Sequence, residues 1–291
     1  MDSKGRGTIT LNIPGFGGGS LNFAFYVVSA SEFLLVDIDP IFQNGMIFGG
    51  EAELQNGAPF SPSSFNGPSI FSLNGTNGSS PQEMVGRFAF DGNENVAITF
   101  DQNNGGNVTV GGSMTGAYDL ELNGRGTLNL TNPANGGSTI WYIYATGPNR
   151  GFVMDASTGA ASTGEIIAEQ VIPPFSNSDI LGNYFFGPEE PITMAVPLFS
   201  GVDGFDGGSS VLGKGLVTGA QDSSQVAALN PGQTVAGTYT VSSVSNNGRG
   251  AILFTSPTAG MVAVWVASPT EMIGLNVDGS TPQPTILHFE Q

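Results

Sequence analysis

The chain has 291 residues, of which 39% are hydrophobic, 11% are charged and 44 are glycine; it contains no cysteine, and its net charge is −17. That apolar content is enough for packed cores, and the length leaves room for two domains and part of a third. The acidity argues against nucleic acid and anionic membrane surfaces as partners, the missing cysteine excludes disulfides and thiolate chemistry, and there is no apolar run long enough for a membrane-spanning helix.

Residues 1–55 read as a half unit of four strands, Gly7–Ile13, Leu21–Ser29, Phe33–Asp39 and Met46–Leu54, separated by glycine- and serine-containing turns. Short β-branched and aromatic runs at this spacing predict antiparallel sheet. The Pro/Ser/Gly stretch 56–67 has no period and reads as a linker. Residues 68–170 read as a full unit. Its first four strands are Ser69–Leu73, Met84–Phe90, Val96–Phe100 and Val108–Tyr118, with Asn/Asp/Gly turns over 91–95 and 101–106. Its second half, 119–170, repeats the pattern of 1–55, with Ile140–Thr146 in the place of Leu21–Ser29. A second linker is expected over 171–178, and a divergent full unit over 179–291. That unit's strands are Gly182–Phe186, Thr193–Phe199, Val211–Ala220, Thr234–Val241, Met261–Ala267 and Met272–Val277, with a glycine-rich insert over 201–208. Only Gln221–Leu229 hints at a helical period, and it is short.

One motif sets the period. Gly5-Arg6-Gly7 returns as Gly124-Arg125-Gly126 after 119 residues, and as Gly248-Arg249-Gly250 after a further 124. A period near 120 is a whole small domain rather than a solenoid rung. The chain is thus read as all-β, two and a half tandem units of about eight short strands each. Each unit is an antiparallel up-and-down barrel, because closure removes the sheet edges; a two-sheet β-sandwich is the alternative.

The run from Phe25 to Leu35, the turn Phe90-Asp91-Gly92-Asn93-Glu94-Asn95-Val96 and Asn123-Gly124-Arg125-Gly126-Thr127 resemble tandem β-domain repeats of large secreted or cell-surface proteins of soil bacteria. The resemblance covers nearly the whole chain in pattern, and the unit at 179–291 departs from it by lacking the Asp-Gly-Asn turn. It implies an extracellular or cell-surface protein and no catalytic residues. The neutral-polar surface fits that location. Met1-Asp2-Ser3-Lys4-Gly5-Arg6 has no signal-peptide core, so an exported form would be the mature one.

Catalytic groups are sparse. His288 is the single histidine and is expected to face solvent or an adjacent turn from the last strand; one histidine without cysteine cannot build a zinc site. No nucleophile elbow is present. Carboxylate pairs suited to glycoside chemistry are Asp37 with Asp39, Asp91 with Asp101, and Glu189 with Glu190, but each is also explained as surface acid near a hairpin end. No resident cofactor is expected. Calcium is the one candidate ion, with Asp91, Asn93 and Asn95 in one loop and Asp203 and Asp206 in another, although neither loop has EF-hand spacing. Arg6, Arg125 and Arg249 are repeat positions, expected to pair with carboxylates or to cap strand-end carbonyls. The aromatic strands carrying Phe25, Tyr26, Trp141, Tyr142, Tyr144 and Trp265 should put one face in the core and the other under a neighbouring strand or unit.

These readings predict a non-enzymatic structural or adhesive repeat protein whose partners are itself or neighbouring repeats. The half unit at 1–55 is incomplete, which has three readings: the chain is cut from a longer array, the half unit packs against the neighbouring unit, or another subunit completes it by strand addition and so drives self-assembly. Two alternatives remain: a carbohydrate or small apolar ligand in a barrel mouth, and a glycan-active enzyme.

Overall fold

The computed structural model describes residues 1–12, 19–40, 49–171, 173–189, 198–208, 213–225, 228–241, 247–279 and 283–291. The chain forms two compact units, Met1–Asn56 and Gly57–Gln291.

The first unit is a four-stranded antiparallel meander of β1 (Arg6–Asn12), β2 (Ser20–Ser29), β3 (Glu32–Asp37) and β4 (Gly49–Glu53). Phe25 lies opposite Gly7 on one side and Leu35 on the other. Among its described hydrophobic residues only Phe23 and Ala24 are buried, and Tyr26, Val28, Leu34 and Val36 stay exposed. Met46 to Phe48, expected as the start of the fourth strand, lie outside the described residues.

The second unit holds two closed eight-stranded barrels, so closure, and not a sandwich, is the solution adopted. The first comprises β5 (Asn66–Asn77), β6 (Ser80–Asp91), β7 (Asn95–Asn104), β8 (Asn107–Tyr118), β9 (Arg125–Thr131), β10 (Ser138–Gly147), β11 (Arg150–Asp155) and β12 (Ala160–Ala168). β12 returns to pair with β5, with Ile167 opposite Ile70. The second comprises β13 (Leu181–Pro188), β14 (Leu198–Asp206), β15 (Gly215–Gln225), β16 (Ala228–Val241), β17 (Arg249–Ser256), β18 (Gly260–Ser268), β19 (Glu271–Asn276) and β20 (Ile286–Glu290). It closes with Phe289 opposite Phe186.

Three expectations are corrected. The glycine-rich segment 201–208 is no insert: through Asp206 it is β14, paired on both sides. Glycine sits there because a side chain would collide with the neighbouring backbone; a Cβ on Gly201 would lie 2.3 Å from the Ala220 carbonyl oxygen. The stretch expected as a turn from Asp101 is the continuation of β7 to Asn104, and Gly105 and Gly106 make the turn at positive φ. Finally, Gln221 to Gln225 and Ala228 to Leu229 are two strands of a hairpin and not a helical turn. Thr193 to Pro197 and Val211 to Leu212 lie outside the described residues.

Alternation places the large side chains inside. In the first barrel Phe71, Phe88, Phe90 and Trp141 meet at the centre, with Phe71 and Phe88 centroids 4.5 Å apart. In the second, Phe186, Phe205, Tyr239 and Phe289 do so. Each buried ring stabilises by about 1.5–3 kcal/mol. The two stretches read as linkers reach into these cores. Phe60 and Phe65 close the end of the first barrel, as Phe175 and Ile180 close the second. A short 3-10 turn follows each entry, at Pro62–Ser64 and Asn177–Asp179. Tyr118 donates its hydroxyl to the carbonyls of Pro62 and Phe65, and Tyr239 to those of Asn177 and Ile180.

Candidate functional site

The Gly-Arg-Gly motif explains itself residue by residue. Its first glycine turns the chain at φ +80, +87 and +74 in Gly5, Gly124 and Gly248, a region that favours glycine. Its second glycine sits under a close neighbour: a Cβ on Gly7 would lie 2.3 Å from the Phe25 ring, and one on Gly126 2.3 Å from the Asp119 carbonyl oxygen. Between them the arginine points outward, across from an aromatic residue on the next strand. The pairs are Arg6 with Tyr26, Arg125 with Tyr144 and Arg249 with Trp265.

What the arginine meets differs. Arg6 donates from Nε to the Tyr26 hydroxyl at 3.2 Å. Arg125 lies 4.6 Å above the Tyr142 ring and stands 3.6 Å from Glu121, an exposed pair of at most about 1 kcal/mol. Arg249 crosses to the first barrel. Its Nε and Nη2 donate to Oδ2 and Oδ1 of Asp101 at 2.8 and 2.9 Å, and the Trp265 indole N–H donates to Oδ2 at 2.9 Å. Gly111 N–H donates to Oδ1 at 2.9 Å, so the buried carboxylate accepts four hydrogen bonds. Around this lock Ile70, Val85 and Ile167 of the first barrel pack with Ala263, Trp265, Ile273 and Leu275 of the second. Burial removes competing water, so removing one partner of such a pair costs about 3–5 kcal/mol.

A second polar group lies beside this contact. Ser72 of β5 donates to Glu189 at 3.1 Å, and His288 Nε2 is 3.4 Å from the other Glu189 oxygen. His288 therefore does not face solvent as expected: its side chain is mostly buried. Burial lowers its pKa, but the Glu189 carboxylate 3.4 Å away, helped by the charges of Glu165 and Glu271, outweighs that and the net shift is upward. Glu83 is pushed up to about 8, by burial first and the Glu189 charge second. Arg87 holds Glu169 through a 2.5 Å contact.

The other sequence candidates have structural work. Asp91 Oδ1 accepts from the backbone N–H groups of Asn93 and Asn95 at 2.7 and 2.9 Å, and Oδ2 from the Asn95 side chain at 2.7 Å. These bonds, the Asn95 side chain first, hold its pKa below the usual range. Asp206 accepts from the N–H groups of Gly208 and Leu216. Asp203, three residues earlier on the same strand, falls on the opposite face, so the two do not converge. It is buried inside the second barrel with no hydrogen-bond partner among the described residues, and burial pushes it up to about 7. Among the described residues no group of three or more acids or histidines is placed to hold a metal ion. Of the carboxylate pairs, Asp37 accepts from the Asp39 backbone and Asp39 from Asn22. Asp91 closes a turn while Asp101 lies between the barrels, and Glu190 lies outside the described residues.

The mouth of the second barrel is open. A cavity of about 430 Å³ is lined by Phe186, Phe199, Phe254, Gln221, Gln233 and Thr285, among others. Gln233 accepts from Ser223 at 2.7 Å and from Gln221 at 3.4 Å. Asp278 is the one carboxylate among its described lining residues. Aromatic walls with a few convergent amides and hydroxyls suit a small, largely apolar or sugar-like guest. The sequence does not single out this mouth: Gln221, Ser223 and Gln233 sit on one hairpin, β15–β16, whose stretch from Gln221 to Leu229 hints at a helical period, and its aromatic walls come from strands far apart in the chain.

Comparison with known proteins finds no matching family model, no matching curated protein and no matching solved structure.

Proposed function

We propose that the chain is a structural or adhesive repeat segment of an extracellular or cell-surface protein, working by spacing and display rather than catalysis. One observation carries this reading: the lock of Asp101 with Arg249 and Trp265, sealed by the apolar cluster around it, makes a stiff pair of two consecutive barrels. A neutral-polar surface with few charges favours such display, since it offers little to nonspecific ionic partners. The test is calorimetry of the intact chain and of Asp101→Asn. In the wild type the two barrels melt in one transition; the substitution, at a cost of about 3–5 kcal/mol, splits it in two. Separate melting in the wild type would sink the reading.

The open mouth of the second barrel favours a second reading, a binding module for a carbohydrate or a small apolar ligand. Titration with an apolar fluorescent dye and with soluble oligosaccharides tests it. Binding that Phe254→Ala weakens supports it, and no binding at millimolar ligand rejects it.

A further inference from the structure

The surface of the first barrel that seats the second has a copy on the second barrel, and that copy is uncovered. Asp101 lies at a bulge in the third strand of its barrel and accepts from the N–H of Gly111 at 2.9 Å. Asp222 lies at the bulge in the third strand of the second barrel and accepts from the N–H of Gly232 at 2.7 Å, with the same ten-residue separation. The two donor glycines share one conformation, φ +66 and +65. The neighbouring positions agree. Tyr118 binds the Phe65 carbonyl and Tyr239 the Ile180 carbonyl, and five residues on from these stand Ile70 and Phe185. Val108 lies opposite Asn103, two residues past Asp101, and Leu229 opposite Ser224, two past Asp222. Ile70 and Val108 pack against the second barrel. Phe185 and Leu229 are 67% and 69% exposed, and Asp222 is exposed with them.

The complementary face is repeated too. Arg249 and Trp265, which grip Asp101, correspond to Arg125 and Tyr144, each pair directly opposite across two strands. Arg125 is 40% and Tyr144 41% exposed. The substitution of tyrosine for tryptophan preserves the chemistry, since a phenol O–H can donate to a carboxylate as an indole N–H does. The chain thus carries one used and one unused acid seat, and three arginine–aromatic keys: Arg249–Trp265 in use, Arg125–Tyr144 and, on the four-stranded unit, Arg6–Tyr26 exposed.

We propose that the Asp222 face of the second barrel seats the Arg125–Tyr144 face of a second copy of the chain, in the head-to-tail sense in which the first barrel seats the second. Arg125 forks onto Asp222, Tyr144 donates to the same carboxylate, and Tyr142 and Phe152, at the positions of Ala263 and Ile273 in the contact already formed, cover Phe185 and Leu229. A contact between two different faces is head-to-tail, so repetition builds a filament unless the rotation between copies closes it into a ring. The inference rests on the structural reading above and adds to it the surface and the partner.

The test is sedimentation and light scattering of the full chain over a concentration series at low salt. Mass should grow past the dimer as concentration rises. Arg125→Glu and Asp222→Lys should each raise the concentration needed for association by at least about tenfold, with unchanged circular dichroism. Asp222→Asn, which keeps an acceptor for Gly232, guards against a folding defect and should act in the same direction. Mixing Arg125→Glu with Asp222→Ala chains leaves one intact seat and one intact key, and no reversed pair to replace the lost contact, so 1:1 dimers should form and nothing larger. Arg6→Glu should change nothing. A wild type that stays monomeric, or association indifferent to Arg125 and Asp222, overturns the proposal. Calorimetry on the same samples separates the two claims: joint melting of the barrels in a monomeric chain leaves the structural reading standing and removes only this one.

Discussion

The two barrels share strand order, closure, entry plug and tyrosine latch, yet they are filled differently. In the first, Phe88 lies opposite Ile98, and Phe100 opposite Gly86, with the Phe100 ring spread over Gly112. In the second the corresponding pairs are Asp203 with Gly219 and Gln221 with Gly201, and Gln233 stands where Gly112 does. The register survives the exchange of two aromatic residues and an isoleucine for an acid, an amide and a glycine. Closure is therefore set by the backbone ladder and by the plugged end, and the opposite end is free to vary. The first barrel fills its interior with rings; the second holds an orphan carboxylate and an open mouth.

The comparison breaks most sharply if the first barrel is given the second's residue. Phe88→Asp should cost more than about 5 kcal/mol, the loss of a buried ring plus an unpaired buried charge, and should abolish folding of that barrel by calorimetry. Asp203→Asn should act the other way. Burial raises the Asp203 pKa from 3.8 to about 7, so between those values the folded chain holds a proton that the unfolded chain has lost. Stability contributed by that proton is present at low pH and is lost as pH rises from about 4 to about 7. The wild type should therefore melt lower at pH 8 than at pH 5, and Asp203→Asn should remove roughly 2–4 kcal/mol of that fall. Glu83, raised to about 8, produces a second fall that persists in the variant. Closing the mouth with Gln221→Phe and Gln233→Gly transplants the filling of the first barrel. It should eliminate any dye binding and stabilise the second barrel by about 1–2 kcal/mol. Smallest of all, Arg125→Ala should change monomer stability by less than about 0.5 kcal/mol, since its ionic partner among the described residues, Glu121, is exposed.

Much of this architecture was legible before any coordinates. Alternation and Asn-Gly turns located most strands, and the thrice-repeated Gly-Arg-Gly set the period, because each of its glycines answers a backbone demand that recurs in every unit. The pairing of Arg249 with a carboxylate and the covering of Trp265 by a neighbouring unit were expected from charge and alternation. The partner was not. Asp101 read as a turn residue, because a β-bulge leaves no mark on the pattern of alternation, although the recurrence of an acid ten residues before a glycine at 101 and 222 is visible in hindsight. Strand β14 was lost for a related reason: its glycines permit close strand contact, which single-strand propensity scores as a break. The plugs were missed because a Pro/Ser/Gly composition conceals two buried anchors, Phe60 and Phe65, in what looks like solvent-exposed chain.

The joint between the barrels also sets how the segment bears load. Glu169 N–H bonds the Pro68 carbonyl of the first barrel, the very next residue, Gln170, bonds Ala267 of the second, and Phe175 is already buried in the second core. There is almost no slack to pay out between the last anchor of one barrel and the first of the next. Tension transmitted along this joint is therefore borne by the Asp101–Arg249 lock and the ladders beside it, not taken up by an elastic tether. Such a segment resists force as a rod does, with little give until a lock or a plug is torn free.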